Sequence, residues 1–184
     1  MAAASAGLGE SVDYTITYLA METRPAPPPP APIGVALALI RSETPTEHYF
    51  LYLYGQVGAP YHWTDWFEAE QEVRQAFLQA PEVSLFTLMV DGCPGGFFML
   101  DARETGIVDL AYFGLMQEVV GRGLGRWFLG SAVQTAWDLP GVHRLTVNTC
   151  TLDHPRALPL YQQAGFVPER REVVRRKLTR PPQD

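Results

Sequence analysis

The chain has 184 residues, 47% hydrophobic and 18% charged, which excludes a fibre, a disordered tail and a disulfide-stabilised miniprotein and suits one soluble globular domain over 1–184. A formal net charge of −6 makes it a poor general binder of polyanions, so nucleic acid is not an expected partner. The longest apolar run, residues 33–40, falls well short of the ~20 residues of a spanning helix, and the Ala-rich start lacks a basic segment followed by an apolar one. No membrane partner is expected, and the expected location is the cytoplasm.

Residues 1–11 are expected to be disordered. Residues 12–20 carry β-branched and aromatic side chains and read as a strand. Residues 24–32 hold six prolines and read as a stiff polyproline II connection on the surface of the same domain. The apolar run 33–41 reads as a second, buried strand. Residues 46–56 and 64–79 read as two helices, the latter capped by Thr64 or Asp65. Strands follow at 83–90 and 96–100, joined by a turn at Asp91, Gly92, Cys93 and Pro94. Residues 107–115 form another strand, 123–137 a helix with Leu124, Trp127, Phe128 and Ala132 on one face, 143–149 a strand, 156–164 a short helix, and Phe166 begins an extended segment. This order gives a mixed sheet covered by helices. Near the end, Arg170, Arg171, Arg175, Arg176, Lys177 and Arg180 interleave with Val173, Val174 and Leu178, the pattern of a closing edge strand with a solvated basic face. Cys93 and Cys150 have no CxxC or His companion at ligand spacing, so both read as reduced, buried thiols and no metal is expected.

Two segments carry chemistry. In Gly121-Arg122-Gly123-Leu124-Gly125-Arg126, between a strand and a helix, the glycines permit close backbone approach and the opening turn offers unpaired N–H groups at the positive end of a helix dipole. That suits a pyrophosphate, or else is simply a tight turn. The spacing G-x-G-x-G, with no Gly-Lys-Ser/Thr following, fits neither common nucleotide fingerprint. The second segment, Asp153-His154-Pro155-Arg156-Ala157-Leu158-Pro159-Leu160-Tyr161-Gln162-Gln163-Ala164-Gly165-Phe166, opens a short helix that Gly165 ends as its C′ residue.

Together these segments resemble the GNAT superfamily of acetyl-CoA-dependent N-acetyltransferases. Its R/Q-x-x-G-x-G/A signature maps onto residues 120–125 and its N-x-x-A-x-x-L-Y-x-x-x-G-F pattern onto 154–166. Residues 107–166 would be the acetyl-CoA-binding core, and the element order extends the likeness over about 33–178. Val120 replaces the usual Arg or Gln, leaving the backbone donors, and His154 stands where Asn is usual.

The resemblance implies an α+β fold with a mixed, mostly antiparallel, splayed sheet flanked by helices, and an acetyl-CoA cosubstrate lying along the strand 107–115. It implies cofactor contacts at Leu115, Gln117, Arg122, Gly123, Leu124, Gly125, Arg126, Asn148 and His154, and an oxyanion donor from a bulged Phe113–Leu115 region. Tyr161 matches the family tyrosine near the sulfur and would protonate the leaving thiolate; otherwise it is a packed helix tyrosine. Tyr61, Trp63 and Asp65, in an aromatic-rich connection, would bind a cationic or aromatic amine, or form a hydrophobic lid. Asp109 would be the general base through a bridging water; the alternatives are a solvated outer carboxylate, or an amine that binds neutral. The expected function is acetyl transfer to a primary amine of a small molecule. The alternatives are a non-catalytic acyl-CoA-binding protein, a protein or peptide N-acetyltransferase and, least, a nucleotide-binding protein; a homodimer is left open.

Overall fold

A computed structural model describes residues 9–179. Its strands are β1 (Ser11–Met21), β2 (Leu37–Ser42), β3 (Val83–Val90), β4 (Cys93–Asp101), β5 (Ile107–Leu115), β6 (Arg144–Cys150) and β7 (Val167–Lys177); its α-helices are α1 (Glu47–Gly58), α2 (Asp65–Glu68), α3 (Gln71–Gln79), α4 (Gly125–Trp137) and α5 (Ala157–Gln163). The strands form one sheet ordered β2-β3-β4-β5-β6-β1-β7. Every neighbouring pair is antiparallel except β5 and β6. The expected mixed α+β sheet is therefore present. Most of the start expected to be disordered, residues 1–8, and Arg180 of the basic cluster lie outside the described residues. Gly9 and Glu10 already exchange backbone bonds with Leu178, extending the β1–β7 ladder.

Alternation along β4 explains why the sheet is covered on both sides. Phe98 and Leu100 enter a core with Phe128 and Leu129 of α4 and Phe166. Phe97 and Met99, one residue out of phase, enter a second core with Phe50, Leu53 and Val57 of α1.

Several expectations need correction. The second strand begins at Leu37 rather than 33, because Gly34 takes a positive φ of 85° in a turn that leaves Ile33 fully exposed. It is also an edge strand and not buried; Ile40 remains 50% exposed. The helix expected over 64–79 is split into α2 and α3 by extended Ala69 and Glu70. Arg74 stabilises the break: its Nη1 donates to the carbonyls of Trp66 and Ala69, and its Nε to Glu47 at 2.6 Å. Thr64 stands at the N-terminus of α2 but does not cap it; its hydroxyl bonds Arg176 and Thr179 instead. The β3–β4 turn is tighter than expected, with Asp91 and Gly92 both at positive φ, the two-residue Asp-Gly hairpin geometry. Cys93 then lies exposed rather than buried, and Cys150 is partly buried; both are free.

The proline-rich connection performs a mechanical task. It joins β1 to β2, which stand five places apart in the sheet, about 24 Å at the usual strand spacing. Nine residues of polyproline II reach about 28 Å, so a stiff segment spans the gap. It packs across α4: Gln134 donates to the carbonyl of Pro25 at 3.0 Å, Arg24 pairs with Asp138 at 2.6 Å, and Pro28 lies against Gly130. A Cβ on Gly130 would come within 2.4 Å of Pro28 Cβ. Gly130→Ala, which in an open helix would stabilise by about 1 kcal/mol, is therefore expected to destabilise by about 1–3 kcal/mol through overpacking. Thermal or urea unfolding checks the sign, and a more stable variant would contradict the packed connection.

Candidate active site

The site originates in a short ladder. β5 and β6 pair only at Ile107↔Arg144, Val108↔Leu145 and Asp109↔Thr146, and beyond that vertex they part. At the last pair the side chains also bond, Thr146 Oγ1 donating to Asp109 Oδ1 at 2.6 Å. Two residues on, β5 carries a bulge: Met99 faces Tyr112 and Leu100 faces Leu110, leaving Ala111 as the extra residue. The bulge thus lies at Ala111, ahead of the expected Phe113–Leu115. It reverses the facing of the strand, since Val108 and Leu110 point to the α4 side while Tyr112 and Met116 point to the α1 side and Phe113 and Leu115 return to α4.

The register also orients the backbone. Met116 N–H donates to Gly95 O at 2.9 Å, so Gly114 and Met116 address β4. The alternation then turns the N–H and C=O groups of Phe113 and Leu115 to the side that β6 has vacated. A cavity of about 580 Å³ fills the split.

One end of the cavity is the glycine turn. Gly121 and Gly123 hold φ of 88° and 78°, conformations that favour glycine, while Gly125 has ordinary φ and an open approach, a Cβ there meeting nothing closer than 3.9 Å. Among the described residues, the amides of 123–127 donate to no backbone carbonyl; the first such bond of α4 is Phe128 N–H to Leu124 O at 2.9 Å. These donors, with the helix dipole behind them, form an anion seat. Gly123, Leu124, Gly125 and Arg126 line the cavity, as do Leu115, Asn148 and His154. Arg122 and Gln117 do not. Arg122 pairs with Asp91 at 2.8 Å, and Gln117 donates to the Tyr61 hydroxyl at 3.3 Å. His154 Nδ1 accepts from Arg156 N–H at 3.1 Å, which leaves Nε2 to carry the proton in the neutral ring.

Tyr161 lies midway on the wall, 6% exposed, its ring against Phe113 and Phe166. Among the described residues its hydroxyl has no hydrogen-bond partner, yet it is not sealed from the cavity. Burial raises its pKa above the phenolic value, and the Asp153 and Asp109 carboxylates push the same way. The group therefore stays protonated.

At the other end are Tyr61, Trp63 and Asp65, all on the wall. Asp65 is engaged by Arg176 at 2.8 Å. Sequence reasoning missed Tyr54, Tyr112, Asp153 and Arg176, which also line this end. Arg176 comes from β7, 112 positions beyond its partner Thr64, a separation that left no local signal. Asp153 had a signal, since it directly precedes the His154 motif position. Asp109 is off the wall, at the vertex, although Leu110 and Ala111 line the cavity. Burial raises its pKa, the Thr146 bond partly opposing. Among the described residues no group of three or more His, Cys, Asp or Glu stands where it could hold a metal, and no helix is long and apolar enough to cross a membrane.

A sheet splayed between two parallel strands, with a glycine turn and helix N-terminus at the mouth of the split, is the architecture of acetyltransferases. The sequence profile of the acetyltransferase (GNAT) family matches residues 49–166, and the chain belongs to that family, whose members are acyltransferases. Solved structures share the fold. A GCN5-related N-acetyltransferase from Sphaerobacter thermophilus aligns with a TM-score of 0.61 at 18% identity, over 93% of this chain and 53% of that one. One from Kribbella flavida aligns at 0.56 and 19%, over 88% and 56%. The aminoglycoside N-acetyltransferase AAC(6')-Iy, solved with CoA, aligns at 0.53 and 20%, over 76% and 94%. The chain thus spans little more than half of the first two. A search of curated proteins finds no match.

The vertex yields a pH prediction. Because folding raises the Asp109 pKa above its ordinary 3.8, the folded state binds the proton more tightly than the unfolded one. Its contribution to stability is greatest below that value and is lost as pH rises through the folded pKa. Asp109→Asn keeps an oxygen for Thr146 and removes the charge, so its melting temperature should exceed that of the wild type near pH 7. The shift would be about 2–4 °C per kcal/mol relieved, and the difference should shrink toward pH 4. A difference independent of pH would refute it.

Proposed function

We propose that the protein is an N-acetyltransferase of the cytoplasm that moves an acetyl group from acetyl-CoA directly to a primary amine of a small molecule, with no metal. The observation that carries this reading is the convergence of three sets of uncommitted donors on one cavity: the amides of 123–127, the backbone edge at Phe113 and Leu115, and the Tyr161 hydroxyl. These groups fit the cosubstrate, since the helix-end amides suit a pyrophosphate and an open strand edge suits the amides of a pantetheine arm. When bound, acetyl-CoA supplies a thioester-activated acetyl group.

The chain's own groups then divide the work. Gly123, Leu124 and Gly125 hold the phosphates through backbone N–H groups, with Arg126 adding charge. Phe113 and Leu115 orient the arm and offer an N–H to the acyl oxygen. Tyr161 holds its phenolic proton at neutral pH and gives it to the sulfur that leaves. Asp109, at the vertex and off the cavity wall, would reach the amine proton only through bridging water, and its raised pKa favours accepting it. Direct transfer is the proposed route: burial and the Asp153 carboxylate push the Cys150 thiol on the wall up to about 11, which disfavours the thiolate that an acyl-cysteine would need.

Two variants test the reading. Gly125→Val, at a residue with ordinary φ and room around it, should leave folding intact and weaken CoA binding at least about tenfold in calorimetry by filling the phosphate seat. Tyr161→Phe should lower kcat by roughly 10²- to 10⁴-fold in a thiol-release assay with CoA affinity nearly unchanged. Unaltered CoA affinity in the first would refute the seat, and normal turnover in the second would remove Tyr161 as the acid. CoA binding without thiol release from any amine would favour a non-catalytic acyl-CoA-binding protein.

A further inference from the structure

The acceptor end of the cavity has a composition that selects among amines. Tyr54, Trp63 and Tyr112 contact one another pairwise with ring centroids 5.5 Å apart in each pair. Rings this close leave no space for an ammonium between them, so they present a continuous aromatic wall rather than a cation cage. Their polar atoms are turned inward or occupied: Trp66 Nε1 donates to the Tyr112 hydroxyl at 2.5 Å, and Trp63 Nε1 donates to Asp153 Oδ1 at 3.3 Å. Tyr54 is buried behind the other two, so what the wall offers a ligand is the flat apolar surface of Trp63 and Tyr112.

Charge around it is sparse. The carboxylates on the cavity are Asp65 and Asp153, against three guanidiniums, Arg126, Arg156 and Arg176. Asp65 is neutralised by Arg176. Asp153 accepts only from neutral donors, Thr149 Oγ1 at 2.7 Å, Cys150 N–H at 2.8 Å and Trp63 Nε1, and among the described residues no cation pairs with it. A carboxylate offers about four acceptor positions, so one remains. It sits at the edge of the aromatic wall, through Trp63, on the same cavity as Tyr161.

We infer that the acceptor is a primary monoamine with an aromatic or similarly flat apolar body, the body laid against Trp63 and Tyr112, which Tyr54 backs, and the single ammonium drawn to Asp153 before it loses its proton. This rests on the transferase reading of the same cavity. A polycation, such as a polyamine or an aminoglycoside, would bring more positive charge than one free carboxylate can meet.

The test uses the whole chain, acetyl-CoA and three probe amines: phenethylamine, spermidine and sisomicin. Thiol release should give phenethylamine a kcat/KM at least about tenfold above the other two. In calorimetry on the CoA-loaded protein, phenethylamine should bind roughly tenfold more tightly than its neutral isostere 2-phenylethanol, an arm that needs no variant. Asp153→Asn should raise the KM for phenethylamine about tenfold or more while CoA affinity stays unchanged. Spermidine or sisomicin turned over as well as phenethylamine would overturn the inference and leave the transferase reading standing, as would equal binding of the amine and the alcohol. Thiol release from no amine would overturn the transferase reading, and the calorimetric comparison would still decide the amine site.

Discussion

The candidate site depends on the brevity of one ladder. β5 and β6 are the sole parallel neighbours in the sheet, and their pairing ends after three residue pairs at Asp109 and Thr146. β6 is held on its far side by six register pairs with β1, and β5 by β4. The separation therefore costs the sheet little cooperativity: each strand keeps one complete ladder while exposing one open edge. The Ala111 bulge bends β5 and increases its twist where the strands part. The Asp109–Thr146 side-chain bond pins the vertex, so the split has a fixed origin.

From that vertex the cavity acquires polarity along its length. Toward α4 it meets backbone donors, a helix dipole and arginines, an environment for anions. Toward α1 it meets aromatic rings and one unpaired carboxylate, an environment for an apolar amine. Tyr161 lies between the two, buried and protonated, with a hydroxyl that no group among the described residues claims. The order of these environments along one split is what the proposed transfer between an anionic carrier and a cationic acceptor would require. The connection 59–64 closes the acceptor end by touching both sides, Tyr61 reaching Gln117 after β5 and His154 after β6, and Trp63 reaching Asp153.

The glycine turn and the short helix at one end of the cavity were legible because their determinants are local. Glycines at 121, 123 and 125 and the Leu160-Tyr161 to Gly165-Phe166 helix each specify a turn or a cap within a few residues. Most strands were legible for the same reason, through alternation and through Asp91-Gly92. The other end was legible only through Tyr61, Trp63 and Asp65, because the rest of it is assembled by long-range pairing. Arg176 arrives from the last strand, and Tyr112 faces α1 only because Ala111 is bulged, an event without a signature in the residues 107–115. The split of the long helix was hidden in the same way, since it depends on Arg74 reaching the carbonyls of Trp66 and Ala69. Asp109 was read as an apolar-flanked carboxylate; it is partly buried between buried Val108 and Leu110, and its partner Thr146 was invisible until the parallel register was known.

The most direct test of the account is amide hydrogen exchange, resolved by residue with NMR, before and after saturation with coenzyme A. If the open edge of β5 and the start of α4 receive the cosubstrate, the amides of Phe113, Leu115 and residues 123–127, which lack backbone acceptors in the free protein, should slow markedly while β2 and β3 remain unchanged. Exchange at those amides that is indifferent to coenzyme A, or protection confined to another face of the sheet, would contradict the central claim that the split between β5 and β6 is the acyl-carrier site.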